Sequence, residues 1–174
     1  EVKNILKEKF VNPIFHSTAP VSEVSLGVAV GVFLGLTPTV GIQMYLVAII
    51  WSVYRLIFKK NFYLPVGVAM VWISNPLTMV PLYYLFLVTG YWLLETEKIL
   101  SYELFSENLS RISETDGALQ MIIIGSQFLL FDLGWPMILG SIFYAIPCFI
   151  ISYFITFRIL TSHRKNKESL ANIE

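Results

Sequence analysis

Polar side chains interrupt otherwise apolar sequence at two places. The first is Thr37-Pro38-Thr39-Val40-Gly41, closely followed by Gln43; the second runs from Ser74-Asn75-Pro76 through Thr78 to Pro81, followed by Tyr83. Thr37, Thr39, Gln43, Asn75 and Thr78 are uncharged donors and acceptors, able to bond the backbone groups that a broken helix frees. Helices beginning after Pro38 and after Pro76 or Pro81 would turn the positive ends of their dipoles toward the break, which favours phosphate or carboxylate. The candidate substrate-binding set is therefore Thr37, Pro38, Thr39, Gly41, Gln43, Asn75, Pro76, Thr78, Pro81 and Tyr83. The plainer alternative is that these side chains only repair the breaks.

Other chemistry is sparse. No GxSxG, HExxH, Walker loop or paired-carboxylate motif is present, so no enzyme activity and no cofactor are expected. Cys148 is the single cysteine and sits in an apolar run, which leaves no disulfide framework or cysteine metal site. His16 and His163 lie at opposite ends of the chain. Asp132 is the one acid within the apolar region 118–157; it reads either as a proton-coupling carboxylate or as part of an interfacial turn ahead of a helix start at Pro136.

The elements that must position these residues follow from composition. Of 174 residues, 56% are hydrophobic and 14% charged, whereas a water-facing domain usually carries about a quarter charged residues. Too few charges exist to cover an aqueous surface, and an all-α integral membrane protein is expected. Net charge is zero, which removes the global argument for nucleic acid. Trp51, Trp72, Trp92 and Trp135 suit interfacial anchoring.

Four apolar regions cover 24–58, 64–94, 118–131 and 133–157. The arm at 24–36 would be roughly 20 Å long as a helix, short of a hydrocarbon core of roughly 30 Å. The first region thus reads as a re-entrant hairpin of two half-helices or as two short tilted crossings. Together with the second region it makes two proline-broken hairpins, accompanied by transmembrane helices. Amphipathic helices are expected at 1–15, at the headgroups or packed on the protein, and within 95–116, where Tyr102, Phe105, Leu109 and Ile112 share a face. No signal peptide is expected at 1–15. The domain plan is an amphipathic segment at 1–20, one membrane domain at 21–160 and a basic polar tail at 161–174.

Ten of the twelve basic residues form three clusters: Lys3, Lys7 and Lys9; Arg55, Lys59 and Lys60; and Arg158, Arg164, Lys165 and Lys167. The segment 95–116 is acidic instead. Basic flanks mark the cytoplasmic side, so both termini and the turn near 55–60 are expected there.

Gly27, Gly31 and Gly35 share one helical face where another backbone can approach closely, either within the chain or across a homodimer seam. Laying Pro38 on Pro76 pairs Tyr45 with Tyr83 and Gln43 with Pro81, a weak internal repeat at a separation of 38 residues. Paired interruptions of this kind point to a midplane binding site in transporters.

The runs LGVAVGVFLGLTPTVGIQ, VWISNPLTMVPLYY and WPMILGS before a basic tail resemble an uncharacterised bacterial membrane family, domain of unknown function 2062, over most of residues 22–160. The family-like elements are Pro38, Gly41 and Gln43 in the first break and Asn75, Pro76, Thr78, Pro81 and Tyr83 in the second. Thr39 and the acidic segment at 95–116 depart from the pattern. The resemblance implies a bacterial inner-membrane location. Some members are joined to glycosyltransferase-type domains, which hints at lipid-linked sugar metabolism. The layout is similar to that of DedA-type polyprenyl-phosphate translocases, without a sequence match.

The expectation is a small transporter or flippase-like protein for a polyprenyl phosphate, another anionic lipid or a small anion, handled between the two breaks by a homodimer among membrane lipids. The alternative is a scaffold acting through its glycine face and interfacial helices.

Overall fold

The computed structural model describes residues 12–15, 17–39, 41–95, 101–113, 117, 119–120, 123–124 and 134–171. Residues 1–11 of the amphipathic helix expected over 1–15, together with His16, most of the region 118–131 and Asp132, lie outside these residues. Among the described residues the fold is all-helical. Its elements are α1 (Asn12–Phe15), α2 (Val21–Gly35), α3 (Gln43–Phe58), α4 (Leu64–Met70) with a 3-10 turn at Val71–Ile73, α5 (Pro76–Leu93), α6 (Tyr102–Ser113) and α7 (Gly134–Ala171).

Local chemistry explains the helix ends. Beyond Gly35 the chain meets Thr37-Pro38, and a residue preceding proline is pushed away from helical angles. Gly41 then takes a φ of 79° in the turn, a conformation glycine adopts without steric cost. α3 ends where Lys59 adopts the left-handed conformation at φ 51°, its N–H bonded to the Arg55 carbonyl. α5 starts at Pro76, where the missing proline N–H costs nothing because a first-turn N–H has no helical partner. Pro81 lies inside α5, so the second break ends at Asn75 and does not extend to Pro81 as the sequence implied.

The glycine face of α2 packs within the chain. A Cβ on Gly27 would lie 2.5 Å from the Tyr63 carbonyl oxygen, one on Gly31 would meet the Gly67 carbonyl, and one on Gly35 would lie 3.2 Å from the Val71 carbonyl oxygen. Each partner lies 36 positions further along the chain. A constant offset means that α2 and α4 run parallel and in register. Their C-terminal ends, and therefore both breaks, lie at the same level.

α7 is the element on which the rest leans. It packs along α5 and α2 more extensively than any other helices pack on each other. Cβ atoms on Gly90 and Gly140 would fall on the carbonyls of Pro136 and Phe86 respectively, so α5 and α7 are antiparallel and in backbone contact. Phe33 meets Phe149 edge-on at 6.2 Å, and Arg164 donates to the carbonyls of Ser17 and Ala19, each at 2.8 Å. α2 therefore lies along the C-terminal part of α7 and α5 along its N-terminal part. α7 continues without a break past residue 160, so the basic tail expected from 161 onward is helical through Ala171.

The core joins Val24, Val28 and Val32 of α2 to Met79, Tyr83, Phe86 and Leu87 of α5 and to Met137, Ala145 and Leu160 of α7. α6 is added through Phe105, buried in this core, with Tyr84 contacting the rings of both Tyr102 and Phe105. A second cluster of Leu34, Val47, Phe62 and Val71 seats α3. The internal repeat does not persist beyond the breaks: Tyr45 is 62% exposed while its counterpart Tyr83 is fully buried.

Much of the outward surface is apolar. Ile49, Val53, Leu56 and Ile57 of α3 and Ile146, Ile150, Phe154 and Ile155 of α7 are exposed. One helix among the described residues, Trp135–Lys167, is long and apolar enough to cross a membrane, with 17% of its apolar stretch buried in the protein. Leu64–Ile73 and Thr78–Leu93 form a second apolar pair bent by 78° at the break.

The glycine contacts predict a graded response. Gly31→Ala, which forces backbone against backbone, should lower stability by about 1–3 kcal/mol, while Gly35→Ala, which needs a shift of a few tenths of an ångström, should cost clearly less. Thermal unfolding in detergent measures both, and equal losses would contradict the close approach.

Candidate functional site

The two breaks meet. Gln43, at the first turn of α3, is buried, and its amide nitrogen donates to the Ser74 hydroxyl at 3.0 Å and to the Tyr83 hydroxyl at 3.2 Å. Ser74 donates back to the Gln43 amide oxygen at 3.1 Å. Tyr83 donates to the Thr37 carbonyl at 3.3 Å, which links α5 to the first break. One glutamine thus bonds a residue of the second break and a residue of the helix that follows it.

The remaining polar residues act within their own turns. The Thr37 hydroxyl donates to the Leu34 carbonyl at 2.8 Å and lies 3.3 Å from the Thr39 hydroxyl. Asn75 caps α5: its side-chain oxygen accepts from the Thr78 N–H at 3.1 Å, while the Thr78 hydroxyl accepts from the Asn75 N–H at 3.1 Å. This is a reciprocal cap of the kind that satisfies two donors at a helix start. Thr78 also donates to the Ile73 carbonyl at 2.7 Å, closing the backbone gap across the break. Among the described residues no buried side-chain nitrogen or oxygen lacks a partner.

A cavity of about 170 Å³ lies beside this network, lined by Gly41, Gln43, Met44, Trp72, Ser74 and Asn75 with Val71. Ligand pockets for drug-sized molecules run from roughly 300 Å³ upward, so this space suits a few waters or a small anion. Among the described residues its lining supplies hydrogen bonds and apolar walls but no carboxylate, histidine or thiol.

The structure thus brings Thr37, Gln43 and Tyr83 together and places Gly41, Gln43 and Asn75 on the cavity wall. Pro38 is buried and Thr39 half-buried in the first turn. Thr78 is engaged in the cap, Pro76 opens α5, and Pro81 is exposed on α5 away from the cavity lining. Ser74, the residue through which Gln43 grips the second break, carried no signal beyond its position inside that break. Gly27, Gly31 and Gly35 serve the packing of α2 on α4 rather than the cavity. Among the described residues no three His, Cys, Asp or Glu side chains gather as a metal site would require.

The network can be tested by subtraction. Gln43→Leu leaves the Ser74 and Tyr83 hydroxyls short of their shared partner and should cost about 1–3 kcal/mol for the buried groups stranded. Tyr83→Phe should cost about 1 kcal/mol, and the double variant less than the sum, because the two residues share one bond. Strict additivity in thermal unfolding would show that the bond is absent.

No curated protein and no solved structure matches the chain. A family model, described as "Uncharacterized protein conserved in bacteria (DUF2062)", matches residues 4–169. The resemblance read from the two breaks is thereby confirmed over nearly the whole length, and the chain belongs to that family.

Proposed function

We propose that this is an integral protein of the bacterial inner membrane that passes an anionic lipid carrier or small anion by the junction of its two broken hairpins. The observation that carries the reading is the depth of the junction. Phe33, two residues before the end of α2, meets Phe149 of α7, and the in-register contact of α2 with α4 sets the second break level with the first. The breaks therefore fall near Pro147, midway along the apolar stretch between Trp135 and Arg158. Each end of that stretch is roughly 15–20 Å away at 1.5 Å per residue, about half of a hydrocarbon core of roughly 30 Å.

Several features support a midplane site. α2 has 15 residues and α3 has 16, about 22–24 Å each, so each is short of a full crossing and the pair suits a re-entrant hairpin. Irregular backbone at that depth is tolerated where it is buried in protein or lines a wet cavity, and the cavity beside Gln43 provides such a place. Uncharged donors and the start of α5 suit an anion without a fixed basic partner. Glu23 and Ser22 at the start of α2 line the same groove as Arg55, Lys59 and Lys60, and Arg164 bonds Ser17 and Ala19. Basic groups thus share one end of the bundle, the end assigned to the cytoplasm together with both termini. A homodimer through the exposed face of α3 would help enclose so small a cavity.

A non-transporting scaffold is the second reading, favoured by the internal bonding of every buried side-chain nitrogen and oxygen among the described residues. Since the glycine face is occupied within the chain, such a scaffold would use the exposed faces of α3 and α7.

Reconstitution in liposomes separates the two. The parent protein should translocate a polyprenyl phosphate, a phospholipid headgroup or inorganic phosphate, and Gln43→Leu or the milder Tyr83→Phe should slow it by about tenfold, equivalent to ~1.4 kcal/mol in the barrier. An inert parent protein sinks the transport reading. If that inert protein copurifies with one stoichiometric membrane partner, and Leu56→Ser on α3 abolishes the association, the scaffold stands instead.

A further inference from the structure

From the end of α2 remote from the breaks, an open groove of about 880 Å³ runs along α7 as far as Phe149. Its polar lining includes Arg55, Lys59, Lys60 and Glu23, and its apolar lining includes Leu26, Phe149 and Tyr153. Three cations and one anion thus face a shared space, and none of the four forms an ion pair with another described residue. Their placement is built by the fold. The N–H of Tyr63 bonds the Glu23 carbonyl at 2.9 Å, which folds the 59–63 turn over the start of α2. Lys59 is held at φ 51°, a left-handed conformation that costs a non-glycine residue energy and persists where the surroundings enforce it. Tyr54 is fixed by ring contacts with Phe58 and Phe62, and the Arg55 guanidinium lies 5.4 Å from the Trp51 ring centroid.

Basic residues at one end of a membrane bundle answer to topology alone, but topology does not require a groove, nor an apolar wall beside the charges. The groove is far larger than a free phosphate needs. Its apolar wall continues from Tyr153 onto the exposed Phe154, whose ring centroid lies 5.5 Å away. A ligand that satisfies both halves is an anion carrying an apolar tail.

We propose that this groove binds the phosphate headgroup of an anionic lipid, with Arg55, Lys59 and Lys60 holding the phosphate and Leu26, Phe149 and Tyr153 receiving the first part of the tail. The site is separate from the break junction and does not rest on the transport reading, since binding here requires no movement across the membrane. Glu23 opposes the ligand's charge and limits affinity.

Native mass spectrometry of the detergent-solubilised protein, titrated with dioctanoyl phosphatidic acid, tests it. Phosphatidic acid should bind saturably, while dioctanoyl phosphatidylcholine binds far more weakly and inorganic phosphate fails to displace the lipid at equal concentration. Lys59→Gln/Lys60→Gln should weaken binding by about tenfold or more, as expected for two basic groups near an anionic headgroup. Arg158→Gln/Lys165→Gln, a pair of equal charge that lines a different groove, should leave affinity unchanged. Glu23→Gln should tighten binding several-fold, a gain that misfolding cannot produce. The proposal is overturned if phosphatidylcholine binds equally well, if inorganic phosphate displaces the lipid, or if a folded Lys59→Gln/Lys60→Gln protein binds like the parent. Should that variant not fold, an unchanged affinity in Glu23→Gln overturns it.

Discussion

Backbone contact between α2 and α4 is the constraint on which the rest of the structure depends. Three glycines spaced by four residues on α2 allow a parallel helix to approach until carbonyl oxygens occupy the space of the missing side chains. Since Gly67 offers no side chain at the centre of this contact, neither backbone is held off. The register of that contact brings the ends of both arms to one level. Only then can Gln43, just after the first break, reach Ser74 in the second, and only then does Tyr83 find the Thr37 carbonyl. A bulky residue on either face would separate the arms and leave buried polar groups without partners, at a cost of a few kcal/mol each in an apolar setting.

The same geometry accounts for the resemblance between the two halves of the sequence and for its limits. The arms leading into the breaks are matched because they lie side by side in parallel. The arms leading out are not, because α3 turns back along the outside of α2 and α4 while α5 bends away to pack on α7. Tyr45 and Tyr83 share a place in the alignment of the halves but face outward and inward respectively. The repeat is therefore a relationship between two approaches to a junction, and the departures are specialised separately.

Composition and the interrupted apolar runs made the helical class, both breaks and the helix at 102–113 legible in the sequence, because each rests on local chemistry: proline geometry, glycine angles and apolar periodicity. The glycine stripe announced a close contact but could not name Gly67 or Tyr63 as its partner, since that choice depends on how distant segments pack. For the same reason the pairing of Gln43 with Ser74 was hidden. A proline inside a helix is usually disruptive, so the sequence places Pro81 in the break; in the structure it is exposed within α5. The basic residues at 55–60 were legible as a topological signal, but the groove they line needs the turn to fold over the start of α2.

Arg164 gives the arrangement a mechanical asymmetry. Its guanidinium holds the carbonyls of Ser17 and Ala19, which lie just ahead of α2 and point out of the helical bonding pattern. α2 and α7 are thereby fastened at one end and packed along their length. α3, seated by a small cluster and otherwise bare, is the least restrained of the helices that meet at the junction. A displacement of α3 away from that pair would carry Gln43 with it and break the bonds to Ser74 and Tyr83.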